Sequence, residues 1–239
     1  MSRRNMMANK EAKVVKYGKL YNYYTIEGIG DYSIIPLAMS NAGWVVNTGL
    51  LSNRDIATLA NYSGGSMATL GARIKETGNT YWVGNVGALN TYNFNARGAG
   101  FRQHNDGSFS SLNYELRLWD AYAPQAVYLK ITNSGTDGGF DDATGKKSMG
   151  CSIRAVRPST MDEQMYIVDG NPALPYTGND GLVYPTIKVG TQVWLACNLA
   201  ETKLRNGTDI PNVTNNATWY GMTTIAMCDF DNDPNNTFI

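Results

Sequence analysis

Apolar residues recur at helical spacing in only two stretches of this 239-residue chain. In the first, Ser52 stands three residues before Asp55, the spacing of a capping box. Ile56, Leu59 and Ala60 then fall on one face, and Gly64-Gly65 ends the run. The second starts at Ser66, with Met67, Leu70, Gly71 and Ile74 on the inner side and Gly78 as the stop. Elsewhere the period is two. Val127, Leu129 and Ile131 alternate with Tyr128, Lys130 and Thr132, and Cys151, Ile153 and Ala155 alternate with Ser152, Arg154 and Val156, each as in a strand with one buried face. The runs 182–189 and 193–199 flank Gly190-Thr191-Gln192 and predict a hairpin with a short loop. Between Tyr81 and Phe140 lies a tract dense in Gly, Asn, Ser and aromatics, where regular structure is expected to be sparse. Residues 159–178, following Pro158 and holding Pro172 and Pro175, read as a connector. The sum is an α+β fold: two short helices on a twisted antiparallel sheet with a long loop-rich excursion.

Composition sharpens this picture. Charged residues are 17% of the chain, and the polar share comes from amides, hydroxyls and glycine, with 25 Asn beside 25 Gly. Both types adopt left-handed backbone readily, so the chain turns often and a long-helix bundle is excluded. Twenty basic residues balance twenty acidic ones, which gives no overall attraction to nucleic acid. The neutral total hides a positive front, with Arg3, Arg4, Lys10, Lys13 and Lys16, and a negative back at Asp229, Asp231 and Asp233. Residues 1–16 are read as a basic arm, with Arg3, Arg4, Lys10 and Lys13 as partner-anchoring candidates. No apolar run suits a membrane span or an export signal, so synthesis in a cytosol is expected. Cys151, Cys197 and Cys228 are odd in number, have no C-x-x-C spacing, and are expected as free buried thiols.

Five motifs occur in order: Tyr17-Gly-Lys-Leu-Tyr-Asn22, Lys75-Glu-Thr-Gly78 with Tyr81-Trp82, Phe94-Asn-Ala-Arg-Gly-Ala-Gly-Phe-Arg102, Gly107-Ser-Phe109 and Gly150-Cys-Ser-Ile-Arg-Ala-Val156. Together they resemble the Fibrobacter succinogenes major paralogous domain, a family similar to C-type-lectin-like and formylglycine-generating-enzyme-like folds. The chain departs from the family at Leu116-Arg-Leu-Trp-Asp120 and at Gly43-Trp44-Val45. Residues 179–239 resemble the family's beginning, through Asn179-Asp-Gly-Leu-Val-Tyr184, Ile187-Lys-Val-Gly-Thr-Gln192 and Trp194-Leu-Ala-Cys-Asn-Leu199. The resemblance therefore divides the chain into the arm 1–16, a main lectin-like part 17–158, the connector 159–178 and a closing segment 179–239 in permuted order. That segment either folds back on its own chain or completes a neighbouring subunit.

Candidate chemistry is thin. Asp229, Asp231 and Asp233 have the 1,3,5 spacing of a calcium loop, but Pro234 stands where its glycine belongs, so no metal is expected and the tail is read as solvated. His104 lacks a nucleophile signature around it. No catalytic residue and no cofactor are assigned. Aromatics carry more: Tyr81, Trp82 and Phe101 read as core, whereas Trp119, Tyr122 and Tyr128 are candidates for an exposed ligand-binding face. In recognition members of the C-type-lectin-like fold the variable face resembles this downstream stretch. A fold used for display without an export signal suggests a protein assembled in a host cytosol. The expectation is a non-enzymatic structural component of a bacteriophage particle, as head fibre, decoration or tail tip. Its expected partners are other virion proteins, further copies of itself (trimers by family analogy) and a host surface glycan or protein. The alternative is a bacterial cell-surface adhesin or carbohydrate-binding module.

Overall fold

A computed structural model of the chain describes residues 14–28, 30–46, 55–121 and 126–239. In chain order the elements are β1 (Leu20–Tyr21), α1 (Tyr23–Ile26), α2 (Leu37–Asn41), β2 (Val45–Val46), α3 (Asp55–Tyr62) and α4 (Met67–Ile74). Then come β3 (Ala99–Arg102), β4 (Phe109–Leu112), β5 (Glu115–Asp120), β6 (Val127–Thr132), β7 (Gly139–Asp142) and β8 (Ala155–Pro158). The last third holds α5 (Met161–Tyr166), β9 (Tyr176–Thr177), β10 (Val183–Tyr184), β11 (Thr186–Val189), β12 (Gln192–Leu195), α6 (Asn216–Tyr220) and β13 (Met227–Cys228). The fold is α+β, mostly sheet with short helices.

Two sheets dominate: a four-stranded one in the order β11-β12-β8-β2 and a five-stranded one in the order β4-β3-β5-β6-β7. Pairing is antiparallel except between β3 and β5, where Gly100 lies opposite Leu116 in parallel. The excursion expected to be poor in regular structure therefore carries four strands of the larger sheet and the start of the fifth. Helices α3 and α4 form as the periodicity predicts, with Ser52 of the predicted cap outside the described residues; among the described residues four further α-helices of four to six residues are too short to show a period. Ser66 and Thr69 close a full capping box at the start of α4. Gly71 is required there, because a Cβ would lie 2.3 Å from the Asp137 carbonyl. The chain leaves α4 at Lys75 rather than at Gly78. In the β11–β12 hairpin Val189 pairs with Gln192, and left-handed Gly190 opens the two-residue turn.

The closing segment is built into the rest of its own chain. Strand β12 lies between β11 and β8, with Trp194 opposite Val156, and β13 pairs with β1. The tail expected in solvent is tied down instead: Val15 bridges Phe238, and Asp229 is buried against Lys19 at 2.7 Å. The connector is also structured. Its α5 helix follows β8 directly, and its residues 170–173 line the outer edge of β11, bridging Ile187 through Pro172. In the 151–156 stretch, Cys151 and Ser152 make single bridges to Tyr21 and Leu118, and continuous strand begins only at Ala155.

Hydrophobic core lies on both faces of the larger sheet. Leu116, Leu118, Leu129 and Ile131 face α3 and α4, meeting Ile56, Leu59, Leu70 and Ile74. The opposite face is covered by the β1–α1 segment. There Trp119 donates from Nε1 to the Tyr21 carbonyl at 2.7 Å and meets the rings of Tyr23 and Tyr128 edge-on. Trp119 is 0% and Tyr128 5% exposed, which corrects the expectation that they form an exposed face. A strand alternates sides whether or not its second side is wet, and here both sides are dry. Trp119→Ala is accordingly expected to lower the stability in urea by about 3–5 kcal/mol, the cost of emptying a large aromatic site.

Candidate functional site

The exposed part of the excursion is a crown of loops organised by one lysine. Lys75 is fully buried, and the three N–H groups of its Nζ are shared among the carbonyls of Val86 (2.8 Å), Thr132 (3.1 Å), Asn133 (3.2 Å) and Gly135 (2.8 Å). It also lies over the Trp82 ring, whose Nε1 donates to the Ala96 carbonyl. Burial lowers the Lys75 pKa, and Asp137 opposes that shift. Around this ammonium the Val83 N–H meets the Asn113 carbonyl and the Val86 N–H the Asn133 carbonyl, both at 2.8 Å. Asn90, Asn93, Asn95 and Asn113 take left-handed backbone in these turns, a conformation that asparagine tolerates better than most residues. The arrangement turns Val83, Val86, Leu89 and Tyr114 outward into solvent.

Two arginines do the same work deeper in the fold. Arg154 donates to the carbonyls of Phe94, Leu195 and Asn95 and to the Asn198 amide oxygen, with its guanidinium over the Phe94 ring. Burial lowers its pKa to about 9. Arg102 donates to the carbonyls of Gly107, Val213 and Thr214 and to Asn216 Oδ1, held between the rings of Phe109 and Trp219. Lys75, Arg102 and Arg154 are all motif residues of the resemblance, and all three act as internal fasteners of loops.

A second candidate is a cleft of about 280 Å³ lined by Ile26, Ser33, Ile34, Ile35, Trp44 and Val46. Trp44 meets Tyr176 edge-on, and Tyr176 meets Tyr184 in the same way. Near these rings sits the wholly buried Glu201 carboxylate. It accepts backbone N–H groups from Asn179, Asp180, Thr202 and Lys203. Burial pushes its carboxyl up to about 7, with neighbouring Asp180 adding to the shift and the backbone donors opposing it.

The predicted site residues are not gathered. Trp119 and Tyr128 are core. Tyr122, Arg3, Arg4, Lys10 and Lys13 lie outside the described residues. Among the described residues, no three His, Cys, Asp or Glu side chains form a group that could hold a metal ion. The three aspartates of the calcium-like spacing diverge: Asp229 pairs with Lys19, Asp231 sits in left-handed backbone, and Asp233 caps a turn. Cys151, Cys197 and Cys228 are free thiols, each held above its ordinary pKa by burial, so nucleophilic thiolate is disfavoured at all three. Reasoning from sequence missed the crown. Its one signal is isolated apolar residues set among Gly84, Asn85 and Gly87 without a period.

No family model, curated protein or solved structure matches this chain.

Replacing Lys75 with Met removes the donor shared by the carbonyls of Val86, Thr132, Asn133 and Gly135. Lys75→Met is expected to cost about 2–4 kcal/mol and to speed hydrogen exchange at the Val86 amide. A second expectation concerns pH. The Glu201 pKa is higher folded than unfolded, so its contribution is full below about 4.3, its unfolded value, and is lost as pH rises through about 7. The urea midpoint should therefore gain from this group between pH 8 and pH 5. His104, whose pKa burial lowers, works in the opposite direction below about 6.5. In a His104→Gln background the gain should stand out, and Glu201→Ala should flatten it.

Proposed function

We propose that this chain is a non-enzymatic display protein, a structural component of a bacteriophage particle such as a head fibre, decoration or tail-tip protein. In this reading the loop crown is its contact face toward a host surface glycan or protein, and its assembly partners are further copies of itself and other virion proteins. The observation that carries the reading is the crown's construction. A buried ammonium fastens two segments by their carbonyls, one at Val86 and one at 132–135, and the 83–89 loop with Tyr114 beside it holds apolar side chains outward: Val83, Val86, Leu89 and Tyr114. Loops ordered from beneath can vary their outward side chains without loss of the scaffold, which suits a recognition surface. The motif cations Lys75, Arg102 and Arg154 support the same reading, since their charge is directed at backbone inside the fold rather than at a ligand.

The test has two parts. Mass spectrometry of purified phage particles should find peptides of this chain in stoichiometric amount; their absence from particles refutes the virion assignment. Val86→Asp combined with Tyr114→Ala should weaken binding of the purified protein to host cells by about tenfold or more, equivalent to about 1.4 kcal/mol, with an unchanged urea midpoint. Unaltered binding would remove the crown from the contact.

A further inference from the structure

The connector contains a helix built inside out. In α5 the one buried side chain is a glutamate, Glu163, held by a two-pronged bond from Arg157 at 2.5 and 2.7 Å. Glu163 also closes a capping box with Thr160. Its apolar residues face water: Met161 is 74%, Met165 66% and Tyr166 76% exposed, and the chain beyond adds Val168 at 70% and Leu174 at 75%. An amphipathic helix that served only its own fold would show the reverse pattern. The segment is also held firmly. Gly170 and Ala173 donate to the carbonyls of Lys188 and Thr186 on β11, and Asp169 pairs with Lys188 at 2.7 Å while accepting from the Tyr62 hydroxyl.

We propose that this face, Met161, Met165, Tyr166, Val168 and Leu174, is the surface through which two copies of this chain associate. Five side chains at about three-quarters exposure set on the order of 500 Å² of apolar surface in water, the scale of the largest patch on an ordinary monomer. That is more than half of the roughly 800 Å² per partner that a stable interface covers. Charge points to a like partner. Of the three acids between 161 and 175, Glu163 is bound by Arg157 and Asp169 by Lys188, which leaves Asp162. A strongly charged partner would find little to pair with. A second copy carries the same uncharged face, and with twenty basic and twenty acidic residues two copies do not repel as wholes. Methionine side chains adapt to one another, which eases packing of a surface against its own image.

The proposal takes from the display reading only that copies assemble, and it adds where they touch. Light scattering on the eluting full chain, loaded from about 1 to 100 µM, the range in which an interface of this size reports, should give a mass that is a multiple of 26.2 kDa. Met165→Lys with Tyr166→Asp should return the mass to one chain with the circular dichroism spectrum unchanged. If that pair fails to fold, Leu174→Lys, on a different segment of the face, should raise the dissociation constant at least tenfold. Leu89→Lys on the crown should leave the mass as in the parent chain. A parent chain that stays monomeric at 100 µM overturns the proposal, as does an oligomer indifferent to the Met165, Tyr166 and Leu174 substitutions. Presence of the chain in particles together with a monomer in solution refutes this interface and leaves the display reading standing. An oligomer lost on these substitutions, from a chain absent in particles, does the converse.

Discussion

The structure depends on buried cations that are satisfied by backbone carbonyls. A chain with this much loop cannot hydrogen-bond its carbonyls through ladders alone, and an unpaired carbonyl in the interior costs as much as a lost bond. Lys75, Arg102 and Arg154 each bring three or more donors to one point, and the acceptors they collect are far apart in sequence. Arg154 binds Phe94 and Asn95 on one side and Leu195 and Asn198 on the other. Arg102 binds Gly107 together with Val213, Thr214 and Asn216. Such a cation replaces hydration with fixed dipoles, and aromatic rings beneath it (Trp82, Phe94, Phe109 and Trp219) supply further negative potential. Ladder, loop and cation thereby form one network.

This network explains why the closing third of the chain is inseparable from the rest. Without residues 192–198, strand β8 would present an open edge and the Arg154 guanidinium would lose two acceptors, Leu195 and Asn198. Without residues 213–216, Arg102 would be a buried charge with most of its bonds broken, a loss far larger than that of a surface ion pair. The Lys19–Asp229 pair adds a third tie, with Thr237 also donating to the Asp229 carboxylate. Sequence-distant segments are thus joined by charge as much as by sheet.

Much of the framework is legible in the sequence. Helices α3 and α4, strand β6 and the β11–β12 hairpin all follow from period and turn chemistry, although the strands bury both faces rather than one. The rest of the larger sheet was hidden for an identifiable reason. Gly100 in β3 and Ser111 in β4 have left-handed backbone, which breaks the alternation that marks a strand. Trp119 was misplaced because alternation tells which residues share a side and not what covers it. The crown was illegible for a related reason. Which apolar loop residues face outward is decided by where Lys75 pulls the carbonyls beneath them, and nothing in the local sequence of 83–89 encodes that.

Motif and surface therefore carry separate information. The charged motif residues Lys75, Arg97, Arg102 and Arg154 all bind backbone within the fold, Arg97 through the carbonyls of Val15 and Lys16 beside its pair with Glu76. A shared set of such residues speaks to how loops are fastened and is silent on what they contact. The outward residues, Val83, Val86, Leu89 and Tyr114 on the crown and Met161, Met165 and Tyr166 on α5, fall outside every motif. Each set stands on a polar fastener, the Lys75 ammonium for the crown and the Arg157–Glu163 fork for the helix. Anchoring by charge from within frees the apolar side chains from core duty, and that division of labour lets one scaffold hold two separate faces toward its surroundings.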